Sequence, residues 1–226
     1  MEIPALNSYD FVRPSTRALW HLETSGADSS GYGNTLMPWG PVTYPVGRFG
    51  KCAKIDNGFL RTSSLPSSVL LDNMSIFLWA KSTASFYQSI LSVEYYQGMA
   101  LWGYQVGIID SKLFFMESSW EEQHAPQHVG NSIIISDGKW HWLAITRGDT
   151  YVSLYVDGKM DYRGTKDSLG YTYGGLEYAT VGAWWCSYCG DFHDYFYGNV
   201  DEVHVMDGEL SYSTIRRMYA FQRGWI

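Results

Sequence analysis

Cys186, Cys189 and His193, in the run Trp184-Trp-Cys-Ser-Tyr-Cys-Gly-Asp-Phe-His193, stand at a spacing that could give a zinc ion three ligands. A structural zinc site takes four, and the remaining cysteine, Cys52, is distant in sequence. Zinc, a local disulfide and two free thiols all stay open, with reduced thiols the default in a cytoplasm. Aromatic rings carry the stronger signal. Trp120, Trp184, Trp185, Tyr188 and Tyr195 lie in segments that read as loops. An exposed ring of that kind offers a flat apolar face and a polar edge, suited to stacking on a sugar or anchoring a protein interface. These five are the candidate glycan- or partner-binding residues. The nearest acidic cluster is Glu117, Glu121 and Glu122, of which the last two point to opposite faces if the chain there is extended. No Ser, His and Asp set, phosphate-binding loop or paired-His metal helix occurs, so no catalytic residue is assigned. Arg147-Gly148-Asp149 spells the integrin tripeptide, but sits where Gly and Asp serve a turn.

The elements that must position these residues read as β. Trp140 to Thr146 and Tyr151 to Val156 are two apolar runs separated by a short polar segment, with Asp-Gly pairs before the first and after the second, which is the pattern of an antiparallel hairpin within a meander. Val152, Leu154 and Val156 fall on one face of the second run, as a half-buried strand requires. The first run is apolar on both parities and reads as a central strand, with Leu143 and Ile145 on one side and Trp140, Trp142 and Ala144 on the other. His141 within it reads as a packing residue. Cys52 to Ile55 and Phe59 to Thr62 read as a hairpin around Asn57-Gly58. Met74 to Lys81, Ser89 to Glu94, Tyr104 to Ile109, Lys112 to Glu117, Tyr178 to Ala183 and the run around Val200, Val203 and Val205 supply further strands. Trp184 to Phe196 reads as a long loop. One helix closes the chain, capped by Ser211 and stapled by Leu210 on Ile215.

Six segments, in order, resemble the laminin-G-like, concanavalin A-like jelly-roll superfamily. They are Ala18-Leu-Trp-His-Leu-Glu23, Asp28-Ser-Ser-Gly-Tyr-Gly-Asn34, Gly47-Arg-Phe-Gly50, Met74-Ser-Ile-Phe-Leu-Trp-Ala-Lys81, Asp137-Gly-Lys-Trp-His with Leu154-Tyr-Val-Asp-Gly-Lys159, and Tyr197-Gly-Asn-Val-Asp-Glu-Val203. A closing Glu209-Leu-Ser and Met218-Tyr219 fit the same pattern. The resemblance implies an all-β, antiparallel two-sheet jelly-roll sandwich over 18–226 with one short C-terminal helix, preceded by an arm over 1–17. Many relatives hold a structural calcium. Asp201 matches the ligand position in the strand, and Glu23 is the candidate second acid, with backbone carbonyls completing the shell. Laminarinase-like hydrolases of the superfamily carry a Glu-x-Asp pair on one strand, and this sequence has no Glu followed two residues later by Asp.

The bulk numbers set limits on this reading. A chain of 226 residues buries about 70 to 75% of its unfolded surface, enough for one sandwich domain without disulfides or metal. The formal net charge of -7 sets nucleic acid aside as a partner. The aromatic content is high, 10 Trp, 18 Tyr and 10 Phe, so some rings belong at the surface, while Trp79, Trp140 and Trp142 belong in the core. Residues 1 to 17 carry no leader-like or membrane-spanning apolar run. The expected role is non-catalytic recognition or attachment at a virion surface, as a phage decoration or fibre component whose arm docks on neighbouring proteins in an assembly, with cell-surface glycans as possible ligands. A carbohydrate-binding module or lectin of a secreted bacterial protein, its leader removed, is the alternative. A divergent glycan hydrolase or lyase comes third.

Overall fold

The computed structural model describes residues 16–64, 67–69, 71–97, 100–118, 128–166, 178–186 and 190–224. Its strands run β1 (Thr16–Trp20), β2 (Met37–Trp39), β3 (Val42–Thr43), β4 (Ala53–Asp56), β5 (Phe59–Arg61), β6 (Met74–Lys81), β7 (Gln88–Gln97), β8 (Ala100–Ile109) and β9 (Lys112–Ser118). They continue as β10 (His128–Val129), β11 (His141–Arg147), β12 (Tyr151–Val156), β13 (Lys159–Thr165), β14 (Tyr178–Val181), β15 (Trp184–Cys186), β16 (Asp191–His193) and β17 (Tyr197–Asp207), and helix α1 (Tyr212–Arg223) closes the chain. One sheet has the order β13-β12-β11-β6-β17-β4-β3 with β1 also on β17; the other has the order β10-β9-β8-β7-β14-β5-β2. Among the described residues, strands β15 and β16 pair only with each other.

Two packed antiparallel sheets are the jelly-roll sandwich that the sequence predicts. Strand β11 is central, between β12 and β6. Its alternation divides two cores. Leu143 and Ile145 join Val152, Leu154 and Val156 between the sheets. Trp142 and Ala144 face the opposite way and, with Phe77, Trp79 and Tyr155, pack under Ile215 and Met218 of α1. Trp140 is only half-buried against this second core. The helix begins as expected, with Ser211 accepting a hydrogen bond from the Thr214 amide and Leu210 packed on the cluster that holds Ile215.

Three expectations change. Thr16 and Arg17, placed in the arm, belong to β1, where Thr16 lies opposite Met206; residues 1–15 lie outside the described residues. Asn57-Gly58 is not a hairpin turn, because β4 pairs β17 and β3 in one sheet while β5 pairs β14 and β2 in the other. The tight turn instead carries the chain across the sandwich, Asn57 taking a positive φ of 60° and Gly58 lying where a Cβ would meet the Pro41 carbonyl oxygen at 2.7 Å. The segment Trp184 to Phe196, expected as a loop, contains the paired strands β15 and β16, whose Trp185 and Phe192 pack on Tyr178 and Phe59 of the second sheet.

Candidate functional site: an arginine held among aromatic rings

Leu60 of β5 and Ala179 of β14 point into the core between the sheets, so period-two alternation turns Phe59, Arg61 and Tyr178 to the outer face. Strand β2 pairs on the other side of β5, with Met37 opposite Arg61 and Trp39 opposite Phe59; on β14, Thr180 is opposite Arg61. In this register Trp39 and Tyr178 are diagonal neighbours of Arg61, one on each side. The guanidinium lies over both, 4.1 Å from the Trp39 ring centroid and 4.2 Å from that of Tyr178. Each contact is a cation–π interaction.

The β15–β16 hairpin adds the upper wall. Trp185 pairs with Phe192, and Phe192 stacks on Phe59 at 4.0 Å, with Arg61 5.6 Å from its ring. Trp185 lies 4.7 Å from Phe192 and meets Tyr178 edge-on at 5.8 Å. Tyr195 flanks Phe59 at 6.3 Å. Trp39 stacks on Phe59 and remains 47% exposed, so the cluster presents a flat ring to solvent beside a cation.

Of the five aromatics expected at a binding surface, Trp185 and Tyr195 belong to this cluster. Trp184 does not offer a face: it is only 7% exposed, its ring turned toward His193 at 6.1 Å. Alternation along β15 puts it on the side opposite Trp185. Trp120, Tyr188, Cys189, Glu121 and Glu122 lie outside the described residues, and Cys186 stands in β15 opposite Asp191. Among the described residues no group of three or more His, Cys, Asp and Glu side chains comes together as a metal site. Sequence reasoning missed Phe59, Arg61, Tyr178 and Phe192 and did not single out Trp39.

Asp201 and Glu23 share one loop. A bulge in β17 shifts the register between Asp201 and His204, with Glu202 at φ 52°. This returns Val203 to the core and leaves Asp201, fully buried, facing the loop 47–51. The Arg48 and Phe49 amides donate to Asp201 Oδ2 at 2.8 and 3.0 Å, and the Lys51 amide donates to Glu23 Oε2 at 2.8 Å. Oδ1 of Asp201 is buried without a partner. Burial, with the charges of Glu202 and Glu23, pushes the Asp201 carboxyl up to about 7 against the two amides that lower it. An orphaned hard oxygen with acids nearby fits a calcium ion; because among the described residues three acidic side chains do not converge, backbone or water oxygens would have to complete the shell.

The other chemistry-bearing residues serve the framework. Arg147, in the turn tripeptide, is fully buried, its Nε donating to Glu117 Oε1 and its Nη1 to Asp72 Oδ1 at 2.7 Å, so the tripeptide is not displayed to a receptor. Glu117 also lies 2.8 Å from His128 Nε2. His141 sits between Asp157 Oδ2 at 2.9 Å and Asp137 Oδ1 at 3.1 Å, which raise its pKa above the ordinary histidine value.

Residues 57–216, well over half the chain, match the family described as the concanavalin A-like lectin/glucanases superfamily. No curated protein matches the sequence. Among solved structures, domain 4 of AbnA, a GH43 extracellular arabinanase from Geobacillus stearothermophilus in complex with arabinotriose, aligns over 91% of this chain and 98% of its own at 19% identity, with a TM-score of 0.68. A botulinum neurotoxin type C structure, described for cell entry dependent on two ganglioside molecules, aligns over 95% of this chain and 53% of its own at 16% identity and a TM-score of 0.68. The binding domain of botulinum neurotoxin DC in complex with rat synaptotagmin II aligns over 95% and 52% at 17% identity and 0.67. The chain thus spans about half the length of the neurotoxin structures it resembles.

Proposed function

The chain belongs to the concanavalin A-like lectin/glucanases superfamily, and from that premise we propose that it works as a non-catalytic recognition and attachment module that holds a glycan on the Trp39–Arg61 face. The observation that carries this reading is the half-exposed Trp39 ring, stacked on Phe59 and braced by Arg61 on the outer face of a sheet whose inner face is core. A ring held in place by two neighbours with part of its surface left open loses little entropy when a sugar stacks on it, which is what a binding platform needs. The neighbours bound to arabinotriose and dependent on gangliosides support a glycan as ligand. The neighbour in complex with synaptotagmin supports the second reading, a protein docked on the same rings.

The test is a glycan-binding screen of the wild type beside Trp39→Ala. Glycan capture that drops at least about tenfold on removing the indole supports the proposal. Capture unchanged by the substitution, or no glycan bound at all, overturns it. The non-catalytic part is checked by incubating any captured glycan with the protein and assaying reducing ends, where release would place the chain among the hydrolases or lyases. We also propose a structural calcium held by Asp201 Oδ1 with Glu23 nearby, which would neutralise the buried carboxylate and fix the loop 47–51. The setting we propose is a virion surface, and detection of the chain in purified particles separates it from a secreted module.

A further inference from the structure

Resting on the glycan reading above, we infer that the Arg61 platform selects sugars that bear a carboxylate, such as uronic or sialic acid residues, over their neutral counterparts. The Trp39 and Tyr178 rings lie against the guanidinium, their centroids 4.1 and 4.2 Å from its central carbon. Among the described residues the guanidinium donates no hydrogen bond and forms no ion pair, and its remaining ring contact is Phe192 at 5.6 Å. None of its nitrogens is buried without a partner, so its N–H groups reach solvent beside the rings. Two arginines contrast with it, since the fully buried Arg147 is neutralised by Glu117 and Asp72, and the partly buried Arg17 by Asp207. Among the described residues Arg48 also lies over a ring without an ion pair, 4.3 Å from that of Trp79, but its Nε is buried without a partner, so it does not offer the same open fork. Asp191, beside Phe192 in sequence, accepts at Oδ1 from the Phe192 amide at 2.8 Å, and Glu177, beside Tyr178, lies outside the described residues.

A cation with no counter-ion among the described residues, on a chain of net charge -7, is a local exception to the field around it. The rings hold the guanidinium plane fixed, leaving its planar fork of N–H donors facing solvent. Such a fork matches a carboxylate in two parallel hydrogen bonds, whereas a hydroxyl can take only one. A pyranose stacked on Trp39 would carry a ring carboxylate to within reach of the Arg61 edge, so the apolar face supplies affinity and the fork supplies choice.

The inference is tested by isothermal titration with paired probes, sialyllactose against lactose and galacturonate oligomers against galactose oligomers, at low and high NaCl. The acidic member of at least one pair should bind roughly tenfold or more tightly at low salt. That preference should shrink as salt rises, a readout that needs no variant. In Arg61→Met the preference should vanish while residual binding of the neutral member persists, and Arg61→Lys should restore only part of it, because an ammonium is a point charge without the fork. Near-ultraviolet circular dichroism checks that each variant is folded. Equal binding of both members of both pairs, or a preference that survives in folded Arg61→Met, overturns the carboxylate inference alone. Binding of none of the four probes overturns the inference for these sugars, and the glycan reading falls as well if the wider screen also finds no ligand.

Discussion

At the scale of single residues, Asp201 joins chemistry to stability most directly. Its carboxyl is fully buried, and its pKa is raised from 3.8 to about 7, with desolvation the first cause. The fold therefore favours the protonated acid. This contribution is complete below pH 3.8 and is lost progressively as pH rises toward about 7, up to about 4 kcal/mol across the window. Chelator-treated protein should thus lose stability on this account between pH 4 and 7, and Asp201→Asn should flatten that slope while stabilising the protein at pH 7.5. Calcium reverses the sign, since it favours the ionised carboxylate. Added at pH 7.5 it should raise the melting temperature of the wild type and leave Asp201→Asn unmoved; a wild type indifferent to calcium would remove the ion from the account. Asp201 was legible in the sequence because a strand motif marks it. Arg61 was not, since its partners come from strands about 20 residues before it and about 120 residues after it. A lone arginine in a short run gives no sign of the two rings that will enclose it.

At the scale of elements, turns were read by residue type, and type succeeds when the backbone alone decides. Asp110 and Ser111 join β8 to β9 with φ of 49° and 64°, and Asp157-Gly158 joins β12 to β13 with φ of 50° and 72°, the paired positive values of a tight hairpin. Asn57-Gly58 has the same chemistry and a different outcome, because which sheet accepts the next strand depends on distant partners. Gly158 has a second constraint. A Cβ there would stand 2.7 Å from Tyr219 Cδ1, on the helix that covers the second core, whereas a Cβ at Gly190, also at positive φ, meets nothing within 4 Å. Gly190→Ala should lose only the backbone preference, about 1 kcal/mol. Gly158→Ala should lose that and the seat of α1 as well, roughly 1–3 kcal/mol more by chemical denaturation. Equal losses would mean that the turn does not support the helix.

At the scale of the whole molecule, the sandwich was legible because aliphatic alternation marks its inner faces, but its outer faces were not. Strand β6 is buried at every position except its last, since Phe77 and Trp79 lie beneath the helix while Ile76 and Leu78 lie between the sheets. Rings that read as surface or core from composition are therefore sorted by what covers each outer face. What ties the two sheets together is also hidden from pattern. Arg147 of β11 and Glu117 of β9 come from opposite sheets and meet in the interior, with Asp72 and His128 at the ends of the network. Two charges removed from water lose solvation that their mutual attraction does not fully return, so such a pair is poor evidence for stability and strong evidence against changing one partner alone. Arg147→Met should take from the buried Glu117 carboxylate its arginine partner and cost about 3–5 kcal/mol. The double variant Arg147→Met, Glu117→Leu should recover most of that loss, because the carboxylate that loses its cation is then removed with it. Urea unfolding of the wild type, the two single variants and the double variant forms the cycle. A double variant no more stable than Arg147→Met would assign the arginine's value to its bonds with Asp72 rather than to the pairing across the sandwich.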